Sequence, residues 1–136
     1  MKGQFRVFSQ GQIVVSHITG QWSDQTALKY EYAMHELVAS LAEREFSHLL
    51  FFEDWELSTP DVQPIVERMV DWLVSQGMCC AAEVFSHDPL KEFLLNKVVE
   101  EVKGNVFVRR FSCESDALRW LAEQGFASGK ASLIAQ

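Results

Sequence analysis

Large apolar residues along this chain keep two rhythms, short unbroken runs and stretches in which they return every three or four positions, and the two alternate. Residues 4–8 and 12–19 are rich in β-branched and aromatic side chains, with Ser9-Gln10-Gly11 between them, and read as a hairpin. From Ser23 or Asp24, either of which can cap a helix, to about Arg44, the residues Tyr30, Met34, Leu37 and Leu41 recur at spacings of four, three and four. That is one buried helical stripe. Leu49-Leu50-Phe51-Phe52 has no polar alternation, so residues 47–52 predict a strand buried on both faces. An acidic segment, 53–61, then leaves that strand.

Thr59-Pro60 offers a cap and a first-turn proline, but Pro64 would interrupt the same helix. The expectation is a turn over 60–63 and a regular helix over 64–76, with Ile65, Met69, Trp72 and Leu73 inward and Gly77 as its stop. Residues 78–85 read as a second interior strand. Asp88-Pro89 opens a helix over 89–103 carrying Leu90, Phe93, Leu94, Val98 and Val102, and Gly104-Asn105 ends it. Residues 106–111 read as a strand near a sheet edge, because Arg110 breaks the apolar set of Val106 and Val108. Ser112 caps a last helix ending at Gly125, and 127–136 reads as a mobile tail beyond a single domain, 1–126.

The order β-β-α-β-α-β-α-β-α calls for an α/β layer structure: a mixed sheet of about five strands, an antiparallel opening hairpin followed by parallel right-handed crossovers, and four helices. If helices cover one face only, the other must tolerate water, and Arg6, Ser16, Glu83 and Arg110 are polar enough to populate it in part.

Composition narrows the partners more than the fold. A 136-residue chain suits one domain, which buries roughly 68% of the surface its unfolded chain exposes. A net charge of −7 argues against general binding to nucleic acid or anionic membranes, which need clustered Lys and Arg. The start, Met1-Lys2-Gly3-Gln4-Phe5, lacks the apolar core of a signal peptide, and no run reaches the ~18–20 residues of a spanning helix. Cys79 and Cys80 point to opposite faces of one strand and do not easily pair, and with Cys113 they suit a reduced, cytoplasmic chain.

Candidate chemistry gathers after the central strand. Ser58 and Thr59 precede a helix start, where a phosphate would meet free N–H groups and the positive end of the dipole, but Glu53, Asp54, Glu56 and Asp61 would repel it. The same carboxylates could hold a hard cation or act as an acid/base pair, although neither EF-hand spacing nor its glycine is present. Trp55 among them suits either a contact anchor or a lid over the sheet edge. His17, His35, His48 and His87 fall in four different elements without ligand spacing, so no metal or cofactor is expected. There is no G-x-G-x-x-G, Walker-type loop, G-x-S-x-G or C-x-x-C.

The opening hairpin, the element order and the closing Phe111-Ser112-Cys113-Glu114-Ser115-Asp116-Ala117-Leu118-Arg119-Trp120-Leu121 resemble the SpoIIAA-like superfamily, which includes the STAS domains and anti-sigma-factor antagonists, and within it a small uncharacterised bacterial branch. The likeness spans about residues 4–125. It implies a mixed sheet with four β/α turns, no catalytic machinery, and function through protein–protein contact. In phosphorylatable members a Ser or Thr follows the central strand in an Asp-Ser-Ser-Gly-like context. The positions that match are Ser58 and Thr59, without the glycine and with Pro60 intervening. The resemblance therefore points to a non-catalytic module that binds a protein partner, or a second copy of itself, through Asp54, Trp55, Glu56, Ser58, Thr59 and Asp61. A different expectation is a small apolar or lipid-like ligand held between helices and sheet, where four Trp and ten Phe could line a pocket. An enzyme using the loop carboxylates and His87 has the least support.

Overall fold

Backbone hydrogen bonding in the computed structural model defines five strands and three helices within the described residues, 2–42, 44–55, 59–85, 106–129 and 132–133 (for 54 and 55, the backbone alone). β1 (Gln4–Gln10) and β2 (Ile13–Gly20) form the antiparallel hairpin, with Gly11 at φ 58° in its turn. Then come α1 (Asp24–Ala39), β3 (Phe46–Trp55), α2 (Val62–Gln76), β4 (Met78–Phe85), β5 (Phe107–Phe111) and α3 (Glu114–Glu123). The expected helix over 89–103 lies outside the described residues. In the sheet the strands stand in chain order, β1-β2-β3-β4-β5, antiparallel at the first pair and parallel thereafter. β3 is thus central, and β5 closes one side of the described sheet.

Strand alternation distributes the apolar run of β3 between two cores. Leu50 and Phe52 pack with Val14 and Ile18 of β2 against Tyr30 and Met34 of α1 and Met69 and Leu73 of α2. Leu49 and Phe51 turn the other way, with Val15, Ala82 and Val84, onto Ala117, Trp120 and Leu121 of α3. Both faces are therefore covered, and the wet face considered from sequence is not formed. Ser16, Glu83 and Arg110 stand on the face shared with Leu50, under α1 and α2, whereas Arg6 lies over the Phe8 ring.

Several boundaries differ from expectation for physical reasons. α1 ends at Ala39, because the Ser40 hydroxyl donates to the Leu37 carbonyl at 2.6 Å and the next N–H groups close a tight last turn, which no glycine or proline announces. α2 starts at Val62, so Pro64 falls in its first turn, where a missing N–H has no intrahelical bond to lose. β3 runs three residues past Phe52, because β2 pairs with it as far as Gly20↔Trp55 across a register irregularity. Residues 53–55 are therefore strand, and of the rest of the expected acidic segment only 59–61 are described, outside the strand. α3 is entered through Cys113 rather than Ser112. In the stretch expected to be a loose tail, Leu133 is fully buried, and the Glu114 carboxylate accepts from Ser132 Oγ and Leu133 N–H, both at 2.7 Å.

Candidate functional site

Three polar side chains meet inside the core on the α1/α2 side of the sheet. Ser16 of β2 and His48 of β3 share that face, and Tyr30 of α1 reaches down to them. The Tyr30 hydroxyl donates to Ser16 Oγ at 2.7 Å, and Ser16 Oγ lies 2.9 Å from His48 Nε2 and 3.7 Å from the Met34 sulfur. All three are buried. Burial pushes the His48 imidazole down to about 3 and raises the Tyr30 phenol well above its usual value. The Ser16–His48 distance is that of a nucleophile–base pair. A base so weak has little pull on a serine proton, however, and Ser16 is sealed from solvent, so the contact serves as a polar link within the core.

Next to this link, a cavity of about 240 Å³ opens between α2 and the sheet. Val62, Val66, Met69, Val70 and Leu73 of α2 form its roof. Its floor is Leu50 and Phe52 of β3, Ala81 and Glu83 of β4, and Val108 of β5. Trp22, Tyr30 and His48 close one end. Trp22 is held there by its indole N–H, which donates to the Thr19 carbonyl at 3.1 Å, and by edge contact with the Tyr30 ring at 5.0 Å. The volume is slightly below the roughly 300–1,000 Å³ of drug-sized ligand pockets, so it suits a small molecule.

Glu83 brings the one carboxylate among the described lining residues. Its side chain is 15% exposed and lies 3.4 Å from Arg110 Nε. Burial raises its pKa, against the opposing pull of the guanidinium. Arg110 also lies 5.6 Å over the Phe85 ring, which stacks on Phe52 at 4.5 Å.

Of the six residues expected to form the contact surface, the structure describes the side chains of Thr59 and Asp61. Asp54 and Trp55 belong to β3, while Glu56 and Ser58 lie outside the described residues, as does His87. Thr59 is tied back to the connection between β2 and α1: its N–H donates to the Trp22 carbonyl at 3.2 Å, and its hydroxyl bonds the Asp61 carboxylate. Pro60 and Asp61 are exposed, and Asp61 stands at the N-cap of α2 without a side-chain cap bond. Glu53 points to the opposite face, 3.5 Å from His17 Nδ1. His17 is stacked on Phe51 at 4.7 Å, and burial, then Arg6, lower its pKa. Among the described residues no three His, Cys, Asp or Glu side chains gather as metal ligands. The cysteines are free, and burial pushes the Cys80 thiol up to about 11.

Sequence reasoning passed over the Ser16–His48–Tyr30 link. Its signal was present: Ser16 and His48 fall on the same strand face as Val14, Ile18 and Leu50, where a buried polar residue usually finds a partner inside.

Sheet order, a single antiparallel pair and the helices between parallel strands define a SpoIIAA-like α/β domain. One solved structure with this fold is an uncharacterised protein of the DUF3478 family from Shewanella loihica PV-4, which superposes with a TM-score of 0.69 at 12% identity, over 88% of this chain and 94% of that one. At that identity the likeness is one of fold. No family model matches the chain, and no curated protein matches it. Among the described residues no helix is long and apolar enough to cross a membrane.

Proposed function

We propose that this chain is a non-catalytic SpoIIAA-like binding module whose ligand is a small apolar molecule held between α2 and the sheet. The cavity carries this reading. A well-packed interior leaves few voids larger than a water molecule, whereas about 240 Å³ is roughly eight times a water's share of liquid volume. Its wall is almost wholly aliphatic and aromatic, which favours an apolar guest over water. The Ser16–His48 contact supports binding over catalysis, since its imidazole is too weak a base to activate a hydroxyl.

The test is occupancy. N-phenylnaphthylamine, a neutral dye that brightens in apolar surroundings, should bind the native protein and be displaced by medium-chain alcohols. Ala81→Leu, which extends a side chain into the floor, should abolish this while the far-ultraviolet circular dichroism stays native. Equal dye binding by native and variant protein would refute the assignment.

Partner binding by the segment after β3 is the second reading, favoured by exposed Pro60 and Asp61 beside a Thr59 pinned to Trp22 in the connection between β2 and α1. It predicts that Trp55→Ala weakens association with a protein partner or a second copy, and unchanged sedimentation and pull-down would count against it.

A further inference from the structure

The polar atoms at the cavity's closed end restrict what kind of small molecule can enter. The Tyr30 hydroxyl donates its hydrogen bond to Ser16 Oγ, so the phenolic oxygen, 3.4 Å from His48 Nε2, keeps lone pairs and has no further hydrogen to offer. The Ser16 proton has His48 Nε2 and the Met34 sulfur as acceptors within reach. Glu83, further along the floor, presents a carboxylate whose nearest cation is the guanidinium of Arg110 on the neighbouring strand. No Lys or Arg stands among the described lining residues.

We propose that the cavity selects an uncharged molecule with an apolar body and one hydroxyl, which donates its hydrogen bond to the Tyr30 phenolic oxygen at the Trp22–His48 end, and that carboxylates of the same length are rejected. This rests on the cavity being a ligand site and names the class of its ligand. The chemistry is asymmetric in two ways. A ligand hydroxyl at the Trp22–His48 end finds an acceptor in a wall that is mostly hydrocarbon, and a buried hydrogen bond of that kind discriminates strongly against an analogue without the donor. An ionised head group would have to shed its water beside Glu83, where the guanidinium of Arg110 already faces that carboxylate and no Lys or Arg stands among the described lining residues. His48 does not supply the charge, because burial keeps its ring neutral at physiological pH.

The experiment displaces N-phenylnaphthylamine from the native protein with n-decanol, methyl nonyl ether and decanoate at a pH where the acid is ionised. Alcohol and ether bury nearly equal apolar surface, so their ratio isolates the donor. The alcohol is expected to bind about tenfold more tightly than the ether, the value of one buried hydrogen bond, and decanoate at least a further tenfold more weakly than the ether. Tyr30→Phe should bring the alcohol-to-ether ratio to about one, and Glu83→Gln should narrow the gap between ether and decanoate. A native ratio near one, or decanoate binding as tightly as the alcohol, overturns the inference while dye binding leaves the cavity site standing. Absence of dye and alcohol binding overturns both. If Tyr30→Phe does not fold, the native ratio alone decides.

Discussion

Mild acid should weaken this fold through a single imidazole, and the size of the effect follows from where His48 sits. In the folded chain burial holds His48 neutral down to about pH 3, whereas in the unfolded chain it takes a proton near its model value of 6.5. Between those values the unfolded state binds one proton more than the folded state, so stability falls as pH falls. From about pH 7.5 to about pH 5 the loss is about 2 kcal/mol, a large share of the ~5–15 kcal/mol of a typical domain. His17, lowered mainly by its own burial, acts in the same direction. Glu83 acts oppositely, since its raised pKa lets the folded chain take that proton first. Comparison with His48→Gln separates these contributions, because the amide can still bond Ser16 and does not titrate. Urea denaturation of both proteins across this pH range is the assay. The native protein should lose about 2 kcal/mol more than the variant. Parallel stability curves would refute the claim that His48 is held neutral.

Two further outcomes follow from packing. Leu133→Ala removes a fully buried side chain from the α3 side of the sheet and should cost about 2–5 kcal/mol in urea denaturation, whereas a loose tail would give no change. Gly77→Ala places a Cβ against the Arg44 carbonyl at a residue with φ 113°, so the melting temperature should fall by an amount equivalent to more than about 1 kcal/mol.

What could be read from the sequence was what neighbouring residues decide among themselves. The run Leu49–Phe52 declared an interior strand, Gly77 declared the end of α2, and Arg110 among apolar neighbours placed β5 at the side of the sheet. The ends of β3 and α1 were hidden because they depend on distant or subtle partners. Trp55 becomes strand by pairing with Gly20, and α1 stops on the hydroxyl of Ser40. The polar link was harder still. It joins residues 14, 18 and 32 positions apart, and only the sheet register brings them within hydrogen-bond distance. A pocket between helices and sheet was among the expectations, but its place was not legible: of the Trp and Phe residues only Trp22 and Phe52 line it among the described residues, and most of its wall reads residue by residue as ordinary core.

The Ser16–His48–Tyr30 link also bears on how the chain finds its arrangement. The apolar stretches Ile13-Val14-Val15 of β2 and Leu49-Leu50-Phe51-Phe52 of β3 would bury similar surface in several parallel alignments. A shift of β3 by one residue sends His48 to the other face, and a shift by two sets Phe46 or Leu50 in its place. Either leaves buried hydroxyls without the imidazole, at about 1–3 kcal/mol for each orphaned group. The link thus works as a key for strand alignment, marking out the one pairing of the two strands in which Ser16 and His48 answer each other inside the core.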